Sequence, residues 1–295
     1  MRKWLIVLVL MLTNPSAYAE EIALPYKGLT LLANLETTGD DWRKGPVVLL
    51  LHGTIAHGRM EIMSGLQTAL KDRGVTTLSP TLSLNLDRRE GMYDCKVPHT
   101  HRHSDAVGEV DVWTRWLREQ GVERLSVLGH SRGGNQIARY AAEHPEAALE
   151  AVFLIAPGQW DPEEIFANNV GGAGWPKPTQ IKEAERLVAA GRGGEMIQSV
   201  FFLHCPDTVV TAESLDNYYV RAAEHMTFDL ARRIKAPVTF FVGTQDTVQP
   251  GLVQAATAFA ESNPAQVVVI DGADHFFRDL YLEDIADRIA ATLGG

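Results

Sequence analysis

The feature that most narrows the possible folds is a stretch of ten residues, 125–134, reading L-S-V-L-G-H-S-R-G-G. An apolar, strand-like run passes directly into the turn Gly129-His130-Ser131-Arg132-Gly133, and the helix-like segment 135–142 follows at once. A strand that turns straight into a helix belongs to a βα unit, so its neighbours should run parallel to it in a sheet with helices packed on the faces. The turn must be tight enough to hold Ser131 in a strained backbone conformation, with its hydroxyl raised above the sheet. Gly129 and Gly133 suit that geometry, because a side chain at either position would collide where strand and helix cross.

The rest of the chain repeats the alternation. Segments 22–26 and 29–35 flank Lys27-Gly28 and read as an antiparallel hairpin. Residues 47–51 are a continuous apolar run, as expected of a strand buried on both faces. A helical pattern over 60–73 stops at Gly74, and a short strand follows at 75–78. After a polar loop over 85–103, Ser104 or Asp105 could cap a helix at 106–119. Strands at 125–128, 151–155, 237–242 and 266–270 alternate with helical segments, the last of them at 251–262 and 279–293. The pattern predicts an α/β fold, a mostly parallel central sheet with helices on both faces.

One segment breaks the rhythm. Between the strands at 151–155 and 237–242 lie about eighty residues, too many for a simple crossover. They contain a glycine-rich turn at 171–174, helical patterns near 180–190 and 212–224, and the aromatics Trp160, Phe166, Trp175, Phe201, Phe202, Tyr218 and Tyr219. We read a helical cap insertion at about 157–236, lying over the C-terminal edge of the sheet where open α/β folds bind ligands. Its aromatics would line a pocket or, more simply, form the insertion's own small core.

Composition sets the surroundings. A net charge of −10, with no concentrated run of Lys and Arg, argues against a nucleic-acid partner. Residues 1–19 have the layout of a secretory signal peptide: Arg2-Lys3, the apolar run 4–12, and Ala17-Tyr18-Ala19 as the cleavage site. The apolar run is too short to span a bilayer, and no cysteine follows the cleavage site to carry a lipid anchor. The expectation is a periplasmic or secreted protein with no stable membrane anchor, its 20–295 portion forming one domain. Cys95 and Cys205 are the only cysteines, and an oxidising compartment would permit a bridge between them.

The chemistry follows from Ser131. A serine hydroxyl needs an adjacent base, itself oriented by a third group. His275 lies just past the strand at 266–270 and Asp246 just past the strand at 237–242, which puts Ser131, Asp246 and His275 on one edge of a parallel sheet. Asp161 is an alternative acid, whereas Asp274 is too close to His275 along the chain to orient its ring. An oxyanion would be held by the backbone N–H groups of Thr54, in His52-Gly53-Thr54 after the strand at 47–51, and of Arg132.

With these residues in place, the chain resembles the α/β-hydrolase superfamily over roughly 22–156 and 237–293, with the insertion where that family carries a variable cap. The resemblance implies an α/β-hydrolase fold, Ser131 as nucleophile, Asp246 and His275 as triad acid and base, and His52 and Gly53 beside the substrate. It implies a carboxylesterase-like or lipase-like serine hydrolase that acts on a small-molecule ester through an acyl-enzyme and needs no cofactor or metal. Amide, thioester or carbon–carbon cleavage would use the same parts, and a non-catalytic exported binding protein would keep the same fold. The loop His99-Thr100-His101-Arg102-His103 has the spacing of a possible metal site, but such runs are more often polar, solvent-exposed loop, and a contact with substrate is a further option.

Overall fold

In the computed structural model, residues 20–159 and 175–294 are described. The chain opens on the hairpin β1 (Glu20–Tyr26) and β2 (Leu29–Glu36), which turns at Lys27-Gly28 and pairs antiparallel as expected. There follow β3 (Pro46–Leu51), helix α1 (Glu61–Asp72), β4 (Thr76–Thr81), α2 (Asp105–Glu119), β5 (Arg124–His130), α3 (Arg132–Glu143) and β6 (Val152–Ile155). Past the insertion come β9 (Val238–Gly243), α7 (Leu252–Ala260), β10 (Ala265–Ile270) and α8 (Leu280–Thr292). The eight strands form one sheet in the order β1-β2-β4-β3-β5-β6-β9-β10, in which the six from β4 to β10 are mutually parallel.

Burial follows position in that sheet. Every residue of β4, β6 and β9 is buried, and so is nearly all of β3 and β5, because helices cover both faces. Edge strand β10 is largely half-exposed, with Val269 open to solvent. Helices α1 and α8 touch so closely that a Cβ on Gly65 would come within 2.8 Å of Leu282. On the opposing pair, Thr114 of α2 and Tyr140 of α3 share a buried hydroxyl–hydroxyl hydrogen bond of 2.6 Å. The sequence periodicity located each of these helices to within a few residues.

The insertion departs from the helical expectation in part. It carries the expected helix, α4 (Pro178–Ala189), and the short α5 (Ala212–Leu215) and α6 (Thr227–Ala231), with a π-helical turn at Asp216–Val220 between the last two. It also contains an antiparallel hairpin, β7 (Met196–Phe202) and β8 (Cys205–Thr211), which the residue pattern did not mark. The two turn residues, Leu203 and His204, both have positive φ (51° and 73°). Such a turn normally announces itself by Asn-Gly or Asp-Gly, and here neither glycine nor asparagine is present.

Phe202, Tyr218 and Tyr219 are buried on one another inside the insertion, with ring centroids 5.1 and 5.8 Å from Phe202, and Trp175 stacks edge-on against Tyr219. These aromatics form the insertion's own core. Trp160, Phe166, the turn at 171–174, Asp161 and the signal-like segment 1–19 lie outside the described residues. Cys95 and Cys205 form a disulfide, which fastens the loop before α2 to the start of β8.

Candidate active site

Ser131 sits where β5 ends and α3 begins, with φ 55° and ψ −125°. That conformation costs a non-glycine residue about 1–3 kcal/mol, and the surroundings hold it. The Ser131 N–H donates to the Ile155 carbonyl at 2.9 Å, while its own carbonyl accepts from Gly134 and Gly158 N–H at 2.9 and 2.8 Å. The flanking glycines are required as anticipated: a Cβ on Gly129 would lie 2.2 Å from the Gly133 carbonyl oxygen, and one on Gly133 would lie 2.3 Å from that of His52.

The structure brings Ser131, His275 and Asp246 into one hydrogen-bonded row. The Ser131 hydroxyl donates to His275 Nε2 at 3.0 Å, and His275 Nδ1–H donates to Asp246 Oδ2 at 2.8 Å. The other carboxylate oxygen of Asp246 accepts from the N–H groups of Val248 and Gln249 at 2.8 and 2.9 Å. Burial disfavours the Asp246 charge, but the His275 bond and these N–H groups outweigh it and hold the carboxyl below its ordinary value. Asp246 therefore stays ionised and fixes the imidazole as the tautomer whose Nε2 can accept a proton. Asp274 faces elsewhere: it caps the N–H groups of Phe276 and Phe277 and pairs with Arg278.

The loop after β3 lies against this row. A Cβ on Gly53 would come within 3.2 Å of Ser131 Cβ, so the close approach depends on glycine there. Thr54 follows, and its hydroxyl accepts a hydrogen bond from Arg132 Nε at 3.0 Å. Arg132 is the first residue of α3, where the N–H has no intrahelical acceptor and the helix dipole favours negative charge.

His52 corrects the expectation that its side chain stands beside the substrate. It is buried, its Nδ1–H donates to the Gly53 carbonyl at 2.9 Å, and its Nε2 accepts from Leu82 N–H at 3.1 Å. Both ring nitrogens are spent on bracing the loop. Burial, with Arg89 nearby, lowers its pKa to about 3, so the ring stays neutral. Arg89, which carried no signal in the sequence, stitches the same region by donating to the carbonyls of Leu82, Gly91 and Ala56. His130 is the other residue missed: its Nε2–H donates to the His275 carbonyl at 2.8 Å and so steadies the loop that carries the imidazole.

The histidine loop is neither exposed nor arranged as a metal centre. His99, His101 and His103 are all buried, and among the described residues no group of three His, Cys, Asp or Glu side chains could hold a metal ion. His99 Nδ1 lies 3.0 Å from His101 Nε2, His101 Nδ1 lies 3.0 Å from the Tyr218 hydroxyl, and the His103 ring packs, tilted by 30°, against that of His225 with centroids 4.3 Å apart. The His99 backbone also pairs with β8, donating to Val209 and accepting from Thr211. The loop is a seam between the sheet and the insertion.

Burial lowers the His99 pKa to about 4. A depressed histidine contributes stability that is complete above the unfolded value of about 6.5 and is lost as pH falls toward 4, since there the unfolded chain binds a proton that the folded one does not. Exchanging His99 for asparagine (His99→Asn) is expected to flatten the pH dependence of stability across that window by up to about 1.4 kcal/mol per pH unit. Urea unfolding followed from neutral pH downward measures the slope, and equal slopes for the two proteins would contradict the assignment.

Comparison with known proteins bears on the fold. The profile of the Alpha/beta hydrolase family matches residues 48–292. No curated protein matches the sequence. Among solved structures, Est1E from Butyrivibrio proteoclasticus superposes with a TM-score of 0.66 at 18% identity, covering 93% of this chain and 99% of that one. The monoacylglycerol lipase of Paleococcus ferrophilus gives a TM-score of 0.59 at 18% identity, covering 89% and 99%. The esterase domain of a Rhodothermus marinus protein gives 0.60 at 16% identity, covering 92% and 96%. At these identities the likeness is one of fold.

Proposed function

As the chain belongs to the alpha/beta hydrolase family, we propose that it is an exported serine hydrolase that cleaves carboxylic esters of small molecules, with Ser131 as its nucleophile. The observation that carries the reading is the row Asp246–His275–Ser131, with separations of 2.8 and 3.0 Å. In the first half-reaction Ser131 Oγ attacks the acyl carbon while its proton passes to His275 Nε2, and Asp246 stabilises the imidazolium. The backbone N–H groups of Thr54 and Arg132 hold the oxyanion of the tetrahedral intermediate. His275 then returns the proton to the departing alcohol, leaving an acyl-enzyme. Water, deprotonated by the same imidazole, attacks the acyl group and restores the free serine.

The esterase and lipase neighbours favour an ester over an amide as the substrate bond. Export is supported by two independent features, the signal-like segment 1–19 and the disulfide between Cys95 and Cys205. A panel of p-nitrophenyl esters set against aminoacyl anilides tests the substrate class. The expected result is rapid release of nitrophenol from short esters, with anilides slower by at least about a hundredfold in kcat/KM. Faster cleavage of anilides would assign a peptidase instead.

A further inference from the structure

The second oxyanion donor is supplied by backbone, yet its side chain is not idle. Thr54 and Arg132 lie on separate elements, the loop after β3 and the first turn of α3. The loop is irregular, with Ile55 at φ 46°, so regular backbone pairing does not fix where the Thr54 N–H points. Arg132 Nε donates to Thr54 Oγ1 at 3.0 Å across that gap. The guanidinium is a planar, rigid fork, and the Tyr218 ring covers it at 5.1 Å. Tyr218 comes from the π-helical turn of the insertion, and its hydroxyl meets His101 Nδ1 at 3.0 Å. A line of contacts thus runs from the oxyanion loop through Arg132 to the cap and on to the seam that the disulfide fastens.

We propose that the Arg132 side chain is a positioning residue, a strut that sets the spacing of the two backbone oxyanion donors by bridging to Thr54, with Tyr218 of the cap seating it. The proposal rests on the esterase reading above. An oxyanion hole works by presenting donors already placed for the transition state, so a strut of this kind acts on kcat and leaves ground-state binding nearly unchanged. The burial that lowers the Arg132 pKa to about 10 leaves it charged at neutral pH, as the contact with the Tyr218 ring requires.

The test compares Thr54→Val, which keeps the shape and removes the acceptor, with Thr54→Ser, which keeps the acceptor, on a p-nitrophenyl ester. Thr54→Val is expected to lower kcat about tenfold, with KM within about twofold of wild type, while Thr54→Ser stays within about twofold in both. Arg132→Met should show the same loss, and the double variant Thr54→Val/Arg132→Met should be no slower than the slower single, as for two ends of one bond. A kcat for Thr54→Val within twofold of wild type would overturn the strut. So would a Thr54→Ser variant as slow as Thr54→Val, or losses that multiply in the double variant. Ser131→Ala runs alongside as the control. If it hydrolyses the ester at the wild-type rate, the esterase reading and the strut both fail, whereas an inactive Ser131→Ala beside a fast Thr54→Val fails the strut alone.

Discussion

Ser131→Ala is expected to reduce kcat/KM for a p-nitrophenyl ester by about four orders of magnitude or more, on the scale found when the nucleophile of such a row is removed. The reasoning is chemical. Alanine leaves the fold, the oxyanion donors and the substrate contacts in place, so what is lost is the covalent route itself. His275→Ala should cost about as much, because it removes the base that lies 3.0 Å from the Ser131 hydroxyl, and an unassisted serine is a weak nucleophile at neutral pH. Asp246→Asn is expected to cost roughly 10,000-fold as well, since an amide oriented toward His275 Nδ1 would favour the wrong tautomer. The three do not add: a Ser131→Ala/His275→Ala double variant should be no slower than either single variant, because the groups act as one unit. Stopped assays at high enzyme concentration measure the residual rates. A Ser131→Ala variant that retains a tenth of the activity would mean that the hydroxyl is not the attacking group.

The second large effect concerns stability. The disulfide between Cys95 and Cys205 closes a loop of 110 residues. Cross-links of that span stabilise by on the order of 4–5 kcal/mol, chiefly by restricting the unfolded chain. Cys95→Ser/Cys205→Ser is therefore expected to lose about that much in urea unfolding, and thiol reduction of the wild type should do the same. The folded arrangement should persist in the variant, because other contacts join the same two segments. Thr208 donates to the Cys95 carbonyl at 2.9 Å, His99 pairs with β8, and Arg102 reaches Glu213 at 2.7 Å. The variant should accordingly keep most of whatever p-nitrophenyl ester turnover the wild type shows, below its lowered midpoint. A loss under about 1 kcal/mol would show that the unfolded chain is already restrained near these residues by other means.

The parts of the fold that were legible beforehand are those where local pattern and tertiary role coincide. The runs at 47–51 and 125–128 are apolar throughout because they become central strands, and α1 and α8 bury the faces that their spacing marked. The elbow was legible because its residue types are themselves distinctive: Gly129 answers to a steric demand made within the motif, by the Gly133 carbonyl, although the demand on Gly133 comes from the Leu51 and His52 carbonyls of the neighbouring strand and its loop. Asp246 and His275 could be placed because each follows a recognisable strand.

What the pattern did not carry depends on contacts distant in sequence. The β7–β8 hairpin turns on Leu203 and His204, residues with no intrinsic preference for positive φ, and is held by its neighbours. His99, His101 and His103 read as an exposed polar loop because nothing local shows that Tyr218 and His225 will cover them from more than a hundred positions away. His52 drew attention for its place in the oxyanion loop, yet its ring turns inward to Leu82. Arg89 and His130 act through backbone carbonyls, and a side chain that bonds a remote carbonyl leaves no trace in spacing.

The most direct measurement is covalent labelling with a fluorophosphonate probe, followed by peptide mass spectrometry of the modified protein. Such a probe reacts with a serine only where a base activates the hydroxyl and an oxyanion site receives the phosphonyl oxygen. The expected result is one adduct per chain, on Ser131, abolished in Ser131→Ala and in protein unfolded beforehand. An untouched Ser131 in the folded protein, or an adduct that persists in Ser131→Ala, would contradict the role assigned to it.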